Sequence, residues 1–132
     1  MKNVRHCGIV VSDMEKSLKF YRDLLGLKIK VDALEQGEFI DAILGLKNVK
    51  VRTVKMLADE GNGLVELLFY HSRSKGASHT AFTVENLDHE YKRLKDKGVK
   101  FISEPQVSPN GKAKVVFCYD PDGVPVELVE EL

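Results

Sequence analysis

The stretch His6-Cys7-Gly8-Ile9-Val10-Val11-Ser12-Asp13-Met14-Glu15-Lys16-Ser17-Leu18-Lys19-Phe20-Tyr21 decides the fold, because its pattern returns 73 residues later. His6 pairs with His79, Gly8 with Ala81, Ile9 with Phe82, Val11 with Val84, Met14 with Leu87, Leu18 with Tyr91 and Tyr21 with Leu94. A repeat this long that occurs only twice is no solenoid; it reads as two copies of one structural module.

Each copy opens with a strand, Val4–Val11 and Ser78–Val84, in which successive side chains point to opposite faces. A helix follows each. In the first, Ser12 and Glu15 form a capping box and Met14, Leu18, Tyr21 and Leu25 line one apolar stripe, closed by Gly26. In the second, Asn86 is the N-cap, Leu87, Tyr91 and Leu94 are the stripe, and Gly98 is the stop. Three further strands are expected in each half: 28–34, 49–57 and 63–70, then 99–103, 113–119 and 124–130. Each half therefore reads βαβββ. Residues Gly37 to Gly45 are an excursion of the first half alone, a helical turn carrying Phe39, Ile40 and Ile43. Asp120-Pro121-Asp122-Gly123 is a turn between the last two strands. The fold class is α+β, built of two βαβββ modules. They make one domain over residues 1–132, with module one at about 1–70, a connector at 71–76 and module two at about 77–132.

Composition narrows the function. A chain of 132 residues, 43% hydrophobic and 30% charged, suits one compact domain. Twenty basic residues balance twenty acidic ones, so no global field draws the protein to nucleic acid or anionic lipid. No apolar run approaches the roughly 18 to 20 residues of a membrane span, and the first residues carry no secretory pattern. The expected compartment is the cytoplasm. Cys7 and Cys118 are then reduced packing residues, with no CxxC or cationic context between them.

Strand alternation points the polar residues. His6, Gly8 and Val10 share one face, opposite Cys7, Ile9 and Val11; His79, Ala81 and Thr83 lie opposite Thr80, Phe82 and Val84. The bulkier apolar face is the partner of the following helix, so both histidines turn away from the helices. The last strands repeat this with acids: Leu64, Glu66 and Leu68 oppose Val65, Leu67 and Phe69, and Pro125, Glu127 and Val129 oppose Val126 and Leu128. Singly, a strand histidine is usually structural and a strand glutamate usually solvated. Here the same two residue types recur at matching positions of both halves, in apolar strands where an unpaired carboxylate is costly. His6, Glu66, His79 and Glu127 thus form a candidate metal set, with donors that suit a divalent Zn, Ni, Co, Mn or Fe. One glutamate, Glu127 or Glu66, could double as general base. His89 lies in the first turn of the second helix and reads as solvated; His71 reads as a loop residue. Arg52, Tyr70, Lys112 and Tyr119 are further candidates for substrate contacts.

At these residues the chain resembles the vicinal oxygen chelate superfamily, the glyoxalase, bleomycin-resistance and extradiol dioxygenase group. The likeness rests on His6 with Gly8-Ile9-Val10-Val11, on Asp13 to Tyr21 running into Leu25-Gly26-Leu27, and on Asp120-Pro121-Asp122-Gly123 with Val126-Glu127-Leu128. It covers essentially the whole chain. It implies an α+β fold of two βαβββ modules forming a curved open sheet around a metal-containing cleft, in a homodimer, with metal positions that fall on His6, Glu66, His79 and Glu127; glyoxalase I-like members, the nearest branch, use all four as ligands. The position of Glu127 is there the leading candidate for the proton-shuttling base. Extradiol dioxygenases use two His and one Glu around iron, which would fall on His6, His79 and Glu127. Methylmalonyl-CoA epimerases usually carry Gln where this chain has Glu66, and antibiotic-sequestering members generally lack the complete metal set.

The resemblance implies a metal-dependent lyase or isomerase of glyoxalase I type, acting on a small oxygenated molecule through a metal-stabilised enolate, with neither nucleic acid nor membrane as partner. The alternatives are an extradiol-type ring-cleaving dioxygenase, distinguished by iron dependence and oxygen consumption, and a non-catalytic binding or resistance protein, distinguished by ligand binding that survives chelation.

Overall fold

In the computed structural model, residues 1–72 and 76–132 are described. Alternating apolar and polar residues give eight strands: β1 (Asn3–Val10), β2 (Lys28–Gln36), β3 (Lys50–Leu57), β4 (Leu64–Tyr70), β5 (His79–Thr83), β6 (Gln106–Val107), β7 (Ala113–Tyr119) and β8 (Pro125–Glu131). The helices are α1 (Met14–Leu18), α2 (Glu38–Leu44) and α3 (Leu87–Asp96), and a π-helical turn at Lys19–Leu24 continues α1. The expected connector at 71–76 falls partly on residues 73–75, which lie outside the described residues.

All eight strands join one sheet in the order β2-β3-β4-β1-β5-β8-β7-β6. The order is a mirror about the β1–β5 seam. On each side the last strand of a half comes first, then its third, then its second. β1 runs parallel to β4 and β5 parallel to β8, while β1 and β5 are antiparallel. The sheet curls into a half-barrel.

Burial follows the alternation. Helix α1 covers the convex side of the first half, packing Met14 and Leu18 on Val54, Met56 and Leu67, with Ile9, Val11, Val65 and Phe69 at the margin. Helix α3 does the same in the second half, where Leu87 meets Val84, Val116 and Leu128 beside Phe82 and Val126. The excursion at 37–45 is the helix α2, bounded by Gly37 and Gly45 at positive φ. It lies on the concave side instead. Ile40 and Ile43 pack there on Val51, Leu68, Tyr70, Val115, Phe117 and Val129. The Asp41 carboxylate ties the end of the excursion by accepting from the amides of Asn48 and Val49 at 3.1 and 2.9 Å.

Four local expectations are corrected. The N-cap of α1 is Asp13, whose carboxylate accepts from the Lys16 amide at 3.1 Å; Ser12 lies one residue too early. Leu25 is 56% exposed and does not extend the stripe. The π-turn, with Leu25 N–H bonded back to Phe20 at 2.9 Å, rotates it off the core face, and Leu27 packs with the α1 cluster. Residues 99–103 form no strand. Phe101 makes a single bridge to Cys118, and the strand proper is the short β6, displaced past Pro105, which has no N–H to give and restrains the residue before it. Finally, Cys7 is exposed, because α1 does not reach it, whereas Cys118 is buried as expected.

Candidate metal centre

Strand register assembles the site. Gly8 on β1 stands level with Glu66 on β4 and with His79 on β5. Ala81 on β5 stands level with Glu127 on β8 and with His6 on β1. Neighbouring strands are about 4.8 Å apart, so each small residue is flanked at that spacing by one His and one Glu. Gly8 is needed at its position: a Cβ there would lie 2.3 Å from His79 Cε1 and 2.6 Å from its Nδ1. Ala81 is fully buried. A β-bulge between Val4 and His6, with Arg5 unpaired, interrupts the β1–β5 ladder beside the site.

The four side chains converge on the concave side, and each of the four residues is no more than 9% exposed. His6 Nε2 lies 2.9 Å from Glu66 Oε2, 2.9 Å from Glu127 Oε2 and 2.8 Å from His79 Nε2. His79 Nε2 lies 3.0 Å from Glu127 Oε2 and 3.5 Å from Glu66 Oε2. All four donor atoms fall within 4.8 Å of one another. Two imidazole nitrogens at 2.8 Å need a proton or a cation between them, and two buried carboxylates need positive charge. The donor set fits a divalent ion. Bonds of about 2.1 Å set at right angles place neighbouring ligand atoms about 3.0 Å apart, the spacing seen here. His6 Nδ1 is buried with no hydrogen-bond partner among the described residues, so that ring's polar contacts all lie on its Nε2 side.

The same contacts set the titration. Burial alone would raise both carboxyls, but hydrogen bonds from His6 and His79 hold Glu66 and Glu127 well below the usual carboxylate range. Burial would lower the imidazoles, and Glu127 and Glu66 outweigh it: His6 is raised and His79 is pushed up to about 10. Positive charge in this pocket is therefore stabilised, whether it comes as protons or as a metal ion.

The cluster lies in a cavity of about 610 Å³ walled by α2 and by β3, β4 and β7. Among the substrate-contact candidates, Tyr70 and Lys112 line it. Burial, then the charges of Glu66 and Glu35, push the Tyr70 hydroxyl up to about 12. Arg52 is elsewhere, bound to Asp32 at 2.7 and 3.0 Å and to Glu15 at 3.1 Å, and Tyr119 borders a separate crevice with Lys97 and Lys100. His89 is exposed and its amide is bonded to the Asn86 cap at 2.9 Å; His71 is exposed against the Phe69 ring.

Two cavity residues escaped the sequence reading. Glu35 accepts from Thr53 Oγ1 at 3.2 Å, and burial plus the charge of Glu66 raise its carboxyl against the opposing pull of Lys55 and Thr53. Lys55 faces Glu66 across the β3–β4 ladder, its Nζ 3.9 Å from Oε1. The signal was available: β2 runs to Gln36, which puts Glu35 in phase with Ala33, and Lys55 follows Val51 and Thr53 on the concave side of β3.

Comparison with known proteins agrees with this architecture. Residues 3–128 match the family model of the Glyoxalase/Bleomycin resistance protein/Dioxygenase superfamily, and the chain belongs to that superfamily. It is 31% identical over 127 residues to a probable lactoylglutathione lyase of Synechocystis, covering 95% of this chain and 92% of that one. It is 28% identical over 130 residues to the mitochondrial methylmalonyl-CoA epimerase of mouse, covering 95% and 71%. Among solved structures, methylmalonyl-CoA epimerase from Mycobacterium tuberculosis shares the fold with a TM-score of 0.76 at 22% identity, over 98% of this chain and 87% of that one.

Proposed function

We propose that the chain is a metal-dependent lyase or isomerase of the glyoxalase I type. The observation that carries this reading is the buried convergence of His6, Glu66, His79 and Glu127, two neutral donors and two anions, inside a cavity large enough for a small molecule. These four side chains would hold a divalent ion, and the chemistry it would supply is Lewis acidity toward a substrate carbonyl, which would make the adjacent C–H acidic.

The protein's own residues then divide the proton transfer. Glu127 takes the proton from the carbon onto a carboxylate oxygen, the C–H electron pair staying with the substrate as an enolate, and returns it to the neighbouring carbon. The surroundings of the two glutamates favour Glu127 over Glu66 for this step. Across its strand ladder Glu66 faces the ammonium of Lys55, which stabilises the carboxylate and weakens it as a base, while the register partner of Glu127 is the uncharged Phe117. The apolar wall of Val51, Leu68 and Phe117 excludes water from the enolate. The reading extends to a homodimer, tested by light scattering on the eluted protein.

The test is to load metal-free protein with Zn, Ni, Co, Mn and Fe in turn, measure bound ion, and assay isomerisation of the methylglyoxal–glutathione hemithioacetal at 240 nm alongside oxygen uptake with catechols. One bound ion per chain and E127Q activity reduced at least about a hundredfold support the reading, general base catalysis being worth that much. Oxygen uptake with iron alone would move the assignment to a dioxygenase, and absence of a bound ion would overturn it.

A further inference from the structure

The cavity holds an ammonium group that acts on the cluster by its charge and donates no hydrogen bond to it. Lys55 lies on the concave side of β3, its side chain 30% exposed and lining the same cavity as the four candidate ligands. Among the described residues its one charged neighbour within 4 Å is Glu66 Oε1, at 3.9 Å. That is beyond hydrogen-bond reach, so the three N–H donors have no side-chain acceptor among the described residues. Glu66 is also directed away: its Oε2 faces the histidines while only Oε1 faces Lys55.

The side-chain charges of the cavity point the same way. Arg5 is spent on Glu131, at 2.6 Å near the mouth. A divalent ion would balance Glu66 and Glu127. Among the described residues that line the cavity, the side-chain charges of Lys55 and the exposed Lys112 are then opposed by that of Glu35, so these side chains keep a positive excess whether or not Glu35 is ionised.

Resting on the metal-centred reading above, we propose that the substrate is a small carboxylate-bearing molecule of the 2-oxo or 2-hydroxy acid class, and that Lys55 is the specificity-determining residue that receives its anionic oxygen. The apolar lining of the same cavity, Ile40, Val51, Leu68 and Phe117, takes an apolar remainder.

The test uses cobalt-loaded protein and two probes followed by visible absorption: glycolate, a monoanion, and imidazole, which is neutral. Replacing Lys55 by Met (K55M) is expected to weaken glycolate roughly tenfold or more, the scale of one charge-assisted hydrogen bond, while any change passed through Glu66 to the metal affects glycolate and imidazole alike. K55R should restore most of the glycolate affinity. K55Q provides the same comparison if K55M does not retain cobalt. Equal losses for the two probes, or no loss for glycolate, would overturn the proposal, because Lys55 would then act only through Glu66 or not at all. A wild-type protein that takes up cobalt but not glycolate overturns this proposal alone. A wild-type protein that takes up no cobalt overturns the metal reading as well.

Discussion

Replacing Gly8 by Ala adds one methyl group at the point where the site is assembled. The new Cβ would sit 2.3 Å from His79 Cε1, 2.6 Å from Nδ1 and 2.8 Å from Nε2. Relief to an ordinary contact near 3.4 Å requires the ring and the strand to separate by roughly 1 Å. The ring cannot retreat freely: it is held edge-on by Phe117 at 5.1 Å between centroids, and by His6 at 2.8 Å between nitrogens. Metal–ligand distances tolerate about 0.2 Å. The displacement therefore removes His79 from the donor set, and affinity for zinc should fall at least about a hundredfold, the upper scale for disturbing a ligand's support. The overpacked seam should also cost about 1–3 kcal/mol, or roughly 4–12 °C in the melting temperature of the metal-free protein. Competition with a chromophoric chelator reads the first quantity and a thermal melt in EDTA the second. A G8A protein with wild-type zinc affinity would refute the claim that the absent side chain makes room for a ligand.

Other expectations are simpler. Substituting His79 by Ala should abolish metal uptake, while the same change at the exposed His89 should leave it intact; elemental analysis of both proteins decides. In the metal-free protein the raised histidines stabilise the fold fully below about pH 6.5, and this contribution is lost as pH rises toward the value of about 10 for His79. The depressed Glu66 and Glu127 act in the opposite sense, stabilising above about pH 4.3 and losing that contribution as acid protonates them. Urea midpoints in EDTA should thus peak between about pH 5 and 6.5, and one equivalent of zinc should flatten the fall up to pH 9; a flat metal-free profile would contradict the coupling. Replacing Arg52 by Met should cost only about 1 kcal/mol, given partial exposure of its pairs, and leave metal affinity unchanged.

The cluster was legible because its four residues interrupt strands whose other concave positions are mostly apolar or small, Glu131 at the end of β8 being the charged exception. In a strand such as Leu64 to Tyr70, alternation leaves only two faces to choose between, and the helix stripe had already claimed one. Matching positions in two halves then supplied what a single strand could not. Legibility failed where the deciding factor was geometric. Ser12 and Asp13 have equivalent capping chemistry, and the choice between them depends on where the chain leaves β1. Residues 99–103 have strand composition, but β7 offers them only one bridge before Pro105 turns the chain. Cys7 has the right phase for the helix face and lies beyond the reach of the short α1. Glu35 was lost to a strand boundary drawn two residues early.

The mirror order of strands about the β1–β5 seam has an evolutionary reading. One half joined to an identical copy along its first strand would enclose the same two imidazoles and two carboxylates, so such an ancestor could have been functional before any fusion. Its carboxylates would have been chemically indistinguishable. Joining both copies in one polypeptide lets each diverge, and the partners across the ladders, Lys55 at Glu66 and Phe117 at Glu127, mark where the symmetry has been broken. Exchanging those two neighbours between the halves would be a direct attempt to make the glutamates trade duties.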